Sequence, residues 1–328
     1  CRMELDVPNT LHRVMLLGAS GSAGRATAQA LVSAGYDLVC IVRPGSTADR
    51  VAGAVYREAD PLDPASLLGD GFREESFDAL VSCLASRTGL PDDARAVDHD
   101  AHSTALALAR DAGVRHMVLL SAICVQKPEL AFQHAKLAFE QELMGSGLRW
   151  SIVRPTAFFK SLSGQIARVE AGKPYLLFGD GTLTACKPIS DRDLGAFMAE
   201  CLTNEDHWNR VLPIGGPGPA LTPVEMGQEL FRLTGKRPRY RRVPVALMDR
   251  IIGVLDRVGK VVPPFRAKAE FARIGRYYAT ESMLVLDPET GAYSAEMTPE
   301  TGEDRLFDYY AAVIAGDETV DLGDHAMF

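Results

Sequence analysis

The sequence predicts an α/β protein: a doubly wound parallel sheet followed by a smaller, loop-rich C-terminal part. Two observations carry this expectation. Strand-like and helix-like apolar patterns alternate as far as Pro155, and a glycine-rich turn joins the first strand to the first helix. In the run Val14-Met15-Leu16-Leu17-Gly18-Ala19-Ser20-Gly21-Ser22-Ala23-Gly24, four apolar residues read as a buried strand, and three glycines spaced three apart follow directly. A helix then runs from Arg25 through Val32 to a C-cap at Gly35. Strand, glycine turn and helix in this order make the dinucleotide-binding (Rossmann) signature. Gly18 and Gly21 let the backbone turn tightly and approach a pyrophosphate, while Gly24 lets helix pack on strand. The phosphates then meet unpaired amides at the positive end of the helix dipole. Ser20, Ser22, Ala23 and Arg25 complete the expected phosphate-side set.

The second strand, Leu38 to Val42, ends in Arg43-Pro44-Gly45. An NAD-type site would place an acid there for the ribose 2′-hydroxyl. A guanidinium suits a 2′-phosphate instead, so the expected cofactor is NADPH, with Arg25 able to reach the same phosphate. Ala54 to Arg57 reads as a third strand. Beyond it, Asp60 stands either to accept from an adenine amine or to cap a helix. The fourth strand, Phe77 to Leu84, opens a loop from Ser82 to Ser86 beneath the nicotinamide-side ribose. A helix from Asp92 to Ala112, a fifth strand from His116 to Ser121 and a sixth from Trp150 to Arg154 follow, with Pro155 at the cofactor end.

The NADPH-binding domain is therefore expected over residues 13–155. The substrate-binding region covers 156–328, with a segment near 185–215 returning to the sheet. Past Pro155, Gly172, Pro174, Gly179, Gly181 and Pro188 punctuate a loop-rich stretch. Ser190-Asp191-Arg192-Asp193 reads as a capping box opening a helix through Leu202. Val211 to Ile214 resembles a late strand, and Thr222-Pro223-Val224-Glu225 another helix start. Val245 to Val262 carries Leu247, Met248, Ile251, Ile252, Leu255 and Val258 on one face, for packing on the domain or for contact with a membrane or apolar ligand. A last helix is expected around Glu303 to Ala315.

With 328 residues, 47% hydrophobic and 24% charged, the chain is ordinary for a globular protein, and a net charge of -8 argues against a nucleic-acid partner. The basic cluster from Lys236 to Arg242 reads as a solvated strand edge. Six scattered cysteines (Cys1, Cys40, Cys83, Cys124, Cys186, Cys201) contain no C-x-x-C pair, so no metal site is expected and the protein reads as reduced and cytoplasmic. No uninterrupted apolar run reaches the roughly 18 residues of a membrane span, and no signal peptide opens the chain. Its first residues, Cys1-Arg2, read as a remnant or a cut end.

Ser121 follows the fifth strand, and Phe132-Gln133-His134-Ala135-Lys136 follows on the next helix. Short-chain dehydrogenases carry Ser and Tyr-x-x-x-Lys at such places. Lys136 is in register to anchor the nicotinamide ribose, but Phe132 fills the tyrosine place. A phenyl ring donates no proton to an alkoxide, so ordinary ketone reduction is disfavoured. The chain resembles the atypical NmrA-like and isoflavone-reductase-like branch of that group, some of whose members only bind NADPH. A narrower resemblance, to the divinyl chlorophyllide a 8-vinyl-reductase family, runs through the segments from Leu119 to Pro128, Ile152 to Ser161, Phe178 to Gly181 and Ala185 to Ser190. It continues through Leu212 to Gly218 and Gly275 to Leu284, ending near Ala295.

That resemblance implies NADPH-dependent reduction of an 8-vinyl group to 8-ethyl on divinyl chlorophyllide or protochlorophyllide, in chlorophyll or bacteriochlorophyll synthesis. Such a protein would be cytoplasmic or peripheral to photosynthetic membranes. Hydride arriving at the terminal vinyl carbon leaves charge that spreads into the macrocycle, so no localised oxyanion needs an acid. Phe132 then serves as an apolar wall, and one late proton is required. Ser121, Cys124, Lys160, Tyr175, Lys187 and water are the candidate donors, for Cys124 against a buried and inert thiol. The flat substrate is placed against Cys124, Phe158, Phe159, Lys160, Tyr175 and Phe178. A non-catalytic NADPH-binding regulator and an assembly factor are the rival function classes. Oligomeric state is left open.

Overall fold

The computed structural model describes residues 12–262 and 264–319; Cys1-Arg2 lies outside them. The strands expected as far as Pro155 all form, with ends within two residues of those expected. They are β1 (Arg13–Leu17), β2 (Asp37–Val42), β3 (Val55–Glu58), β4 (Ala79–Ser82), β5 (His116–Leu120) and β6 (Arg149–Pro155). Between them run α1 (Ser22–Ser33), the short α2 (Pro64–Ser66), α3 (Pro91–Ala94), α4 (Ala101–Asp111) and α5 (Ala131–Met144). The helix expected from Asp92 to Ala112 is α3 and α4 joined by a widened π turn, Arg95–Asp100, which carries the buried Asp98.

The chain then gives α6 (Ile166–Glu170), β7 (Tyr175–Phe178), α7 (Asp191–Glu200), β8 (Arg210–Ile214), α8 (Pro223–Thr234), β9 (Tyr240–Val243), α9 (Val245–Gly259) and α10 (Pro264–Thr280). It closes with β10 (Val285–Leu286), β11 (Tyr293–Ser294) and α11 (Leu306–Ala315). The main sheet is parallel in the order β3-β2-β1-β4-β5-β6-β8. Its connections reverse beside β1, and in such sheets ligands bind outside the strands' carboxyl ends at that crevice. Both faces are covered, which is why the strands read as unbroken apolar runs. Val14 and Leu16 of β1 enter the core that includes Ala28 and Leu31 of α1, while Met15 and Leu17 enter the opposite one with Ala105 and Phe139.

A third core joins the segment after β5 to the C-terminal elements: Ile123 and Cys124 pack with Tyr175, Leu230, Ile274, Tyr277 and Tyr310. Two elements depart from expectation. The Ser190 hydroxyl caps α7 by accepting from the Asp193 amide, but the box is half built. The Asp193 carboxylate instead accepts from the amides of Glu303 and Asp304, because Gly302 (φ 80°) lets the C-terminal segment settle directly on it. On α9 the apolar residues divide between two faces. Met248, Ile252 and Leu255 are partly covered, while Leu247, Ile251, Val254 and Val258 stay exposed. The basic cluster ends in β9, where Arg241 and Arg242 are exposed and the strand pairs with β7.

Candidate active site

The glycine turn is shaped by contacts that no side chain would allow. Gly18 adopts φ 79°, and a Cβ there would lie 2.6 Å from the Cys83 carbonyl carbon; one on Gly24 would lie 2.1 Å from the Gly18 oxygen. Gly21, the N-cap of α1, is less confined: a Cβ there would meet nothing nearer than the Gly18 oxygen at 3.7 Å. No side chain caps this helix and no acid occupies its first turn, so the amides of Ser22, Ala23 and Gly24 are left for an anion. This is the cradle a pyrophosphate requires, and the loop fits a dinucleotide. Arg43 is exposed just past β2, and Arg25 reaches the same loop, with its guanidinium 3.1 Å from Asp49. Asp60 spends one carboxylate oxygen on the Leu62 amide (3.0 Å) and keeps a half-buried position just past β3. Pro155 is buried at the carboxyl end of β6.

Asp191 is a neighbour that its place in a helix cap concealed. Gly195 lets α7 press on α1, where a Cβ would stand 2.6 Å from the Ala26 carbonyl carbon. The first residue of α7 is thereby set beside the glycine turn. Burial pushes the Asp191 carboxyl above its usual range, and the Ser22 hydroxyl, Lys160 and Arg25 restrain the rise. Lys160 is thus within electrostatic reach of Asp191.

Across the cleft, α5 presents Phe132, Lys136 and Glu140 at successive helical turns. The Lys136 ammonium lies 3.0 Å from Asp98, whose carboxylate is buried. The same Asp98 oxygen accepts from the Ser86 amide, and its other oxygen has no partner among the described residues. Ser121 donates to the buried Glu140 at 2.5 Å, and Arg154 holds that carboxylate from the other side. A serine hydroxyl so engaged can accept a hydrogen bond but has no proton free to give. Glu140 and Arg154 escaped the sequence reading, although the spacing from Lys136 to Glu140 already puts both on one helix face.

Phe132 packs toward Gly89 and Ile274, since a Cβ on Gly89 would touch both side chains at 3.3 Å. Cys124 is buried, and burial raises its thiol pKa. The Lys136 charge bears on that thiol, and the Tyr278 hydroxyl approaches its sulfur at 3.9 Å. Tyr278 is a further residue that sequence reasoning did not single out. It lies on α10, more than a hundred residues from the motif, one helical turn beyond Ile274.

Several expected contacts lie elsewhere. The Ser82 hydroxyl points into the layer beneath the sheet and donates to His102 Nε2 at 2.9 Å, the tautomer fixed by His102 Nδ1 donating to the Val97 carbonyl. Tyr175 is enclosed in the third core against Tyr240, because Gly227 lets α8 close over its ring. Phe159 is likewise buried against Tyr309, whereas Phe158 and Phe178 are half-buried. Lys187 is bound to Glu300 (2.6 Å) and the Thr298 carbonyl (3.2 Å), where it ties down the C-terminal segment.

Comparison with known proteins gives this geometry its relatives. Residues 18–205 match an NAD(P)H-binding family. The chain is 48% identical over 334 residues to the chloroplastic divinyl chlorophyllide a 8-vinyl-reductase of Cucumis sativus, covering 96% of this chain and 79% of that one. It is 47% identical to the Arabidopsis thaliana protein of the same name, with 92% and 76% covered. Among solved structures, an Escherichia coli NADPH-dependent quinone oxidoreductase complexed with NADPH superposes with a TM-score of 0.66 over 92% of this chain and 99% of that one. At 20% identity this last likeness is one of fold.

Proposed function

The chain belongs to the divinyl chlorophyllide a 8-vinyl-reductase family, and from that premise we propose that it reduces the 8-vinyl group of divinyl chlorophyllide or protochlorophyllide to ethyl with NADPH. The observation that carries the reading is the apolar wall of Phe132, Gly89 and Ile274 beside Lys136. A ketone reductase needs a hydroxyl in that place; a flat conjugated macrocycle needs a greasy surface. NADPH, when bound, supplies hydride. The amides of α1 hold its pyrophosphate, Arg43 and Arg25 face the 2′-phosphate, and Lys136, oriented by Asp98, anchors the nicotinamide ribose. The remaining task is one of position, because the macrocycle absorbs the developing charge. Protein, NADPH and divinyl pigment incubated in the dark should yield the monovinyl pigment, with deuterium from labelled NADPH on the ethyl terminus. Tight NADPH binding with no product would favour the non-catalytic regulator instead.

Peripheral contact with a photosynthetic membrane is part of this proposal. The exposed α9 stripe continues into Val261, which is 83% exposed, and Val262 at the turn before α10. Asp249 and Asp256 are engaged by Arg276 and Arg273 of α10, which leaves the exposed Arg250, Arg257 and Lys260 to flank the stripe. An apolar strip edged with cations suits an anionic lipid surface. Among the described residues no helix is long and apolar enough to cross a membrane. Cosedimentation with phosphatidylglycerol vesicles, weakened by Val254→Glu, is the expected result. Self-association without vesicle binding would assign the stripe to a second copy of the chain.

A further inference from the structure

Reduction of a vinyl group requires one proton, and the geometry around Cys124 narrows where it comes from. The Ser121 hydroxyl is donated to Glu140, Lys187 is bound to Glu300, and Tyr175 is sealed in the third core. The hydroxyl absent from position 132 has a replacement nearby. Ile274 of α10 shares the surroundings of Gly89 and the third core with Phe132, and one turn further on Tyr278 directs its hydroxyl to 3.9 Å from the Cys124 sulfur. Tyr278 keeps 37% of its surface exposed while its hydroxyl is turned inward onto the buried Cys124 sulfur, so the residue reaches from that interior out to solvent. Tyr277 beside it plays a different part, donating to the carbonyls of Cys124 and Lys127 (both 2.9 Å) and so fixing α10 against the segment after β5.

We propose that Tyr278 is the proton donor of the reduction, an assignment that rests on the vinyl-reductase reading above. NADPH, when bound, would supply hydride to the terminal carbon as the vinyl π bond breaks. The electron pair left on the internal carbon takes the Tyr278 proton, and solvent returns a proton to the phenolate oxygen before the next turnover. Burial of the hydroxyl, with the Cys124 thiol beside it, holds the Tyr278 pKa well above 10, so it remains protonated at neutral pH. It donates only to a strong base, which the internal carbon becomes once hydride has arrived. Proton transfer therefore follows hydride transfer and does not compete with it.

The test compares wild type with Tyr278→Phe and, separately, Cys124→Ala, in D2O with NADPH and divinyl protochlorophyllide. Wild type should place one deuterium on the internal ethyl carbon in a single configuration. Tyr278→Phe should keep its NADPH affinity and melting temperature, lose about 100-fold in kcat (the lower end of what a positioned general acid contributes), and give both configurations as water substitutes. Cys124→Ala should retain a single configuration. A wild-type rate and single configuration in Tyr278→Phe would overturn the assignment. So would scrambling in Cys124→Ala alone, which would make the thiol the donor. A wild type that forms no ethyl product would overturn the vinyl-reductase reading itself, and this assignment with it.

Discussion

Replacing Lys136 by Met separates what this residue does for the fold from what it does for the cofactor. In the folded protein its ammonium lies 3.0 Å from Asp98, with side-chain exposures of 11% and 0%. Methionine keeps the length of the side chain and removes the charge. Asp98 is then left as a buried carboxylate with one amide donor, from Ser86 at 3.2 Å, and nothing on its second oxygen. Removing one partner of such a pair typically costs about 3–5 kcal/mol. The lower figure applies here because Lys136 keeps some contact with water. For a chain of 328 residues about 3 kcal/mol lowers the melting temperature by roughly 4–5 °C. Adding Asp98→Asn removes the stranded charge and should restore most of that loss. It should not restore NADPH binding, because the donor to the ribose is still missing. Thermal melts and NADPH titrations of both variants check this. Two results would refute the reasoning: a single variant that melts within a degree or two of wild type, or a double variant that regains cofactor affinity.

Further outcomes follow from the same geometry. Arg43→Ala should weaken NADPH binding by about 1.5 kcal/mol, near the low end for hydrogen bonds to charged groups because the site is exposed, and leave NADH nearly unchanged; equal loss for both cofactors in a titration would show that Arg43 does not read the 2′-phosphate. Phe132→Tyr should give no gain in vinyl reduction and some loss of rate, since the half-buried ring would then set a hydroxyl against the apolar macrocycle; a faster enzyme would count against the apolar wall. Burial and the Lys136 charge lower the His102 pKa from 6.5 to about 4. The folded state therefore binds fewer protons than the unfolded chain below pH 6.5, and stability on the order of 3 kcal/mol present above pH 6.5 is lost as pH falls toward 4; His102→Gln should flatten that slope in denaturant titrations.

The sheet was legible because parallel strands buried on both faces must be apolar throughout, so Val14 to Leu17 and Leu38 to Val42 announce themselves. The glycine turn was legible for a related reason: Gly18 and Gly24 occupy positions where a Cβ meets backbone. What remained hidden depends on contacts between distant segments. Nothing local distinguishes Asp98 from the other acids near it, and it is set apart by the Lys136 ammonium, thirty-eight residues along, and a π turn that points it inward. Tyr175 read as a cleft residue because it falls in the loop-rich stretch after Pro155; only the closure of α8 through Gly227 shows it to be core. The half-built cap at Ser190 failed for the same reason, since the Asp193 carboxylate found better donors in a loop from the far end of the chain.

The loss of a tyrosine at position 132 changes which part of the molecule controls the chemistry. In the arrangement with Tyr and Lys on one helix, the hydride donor, held through its ribose, and the proton donor are fixed by the same rigid element. Here α5 keeps Lys136, and its Glu140 takes up the Ser121 hydroxyl. Among the described residues, the side-chain hydroxyl that approaches the Cys124 sulfur comes from α10, which Tyr277 ties to the segment after β5, while the Gln126 side chain bonds the backbone of Leu284 and Leu286 just beyond that helix. Separating the two functions costs little when the intermediate charge is spread over a macrocycle and can wait for its proton, whereas a localised alkoxide needs its acid at once. A fold that tolerates phenylalanine at that place is thereby fitted to conjugated double bonds and unsuited to isolated carbonyls.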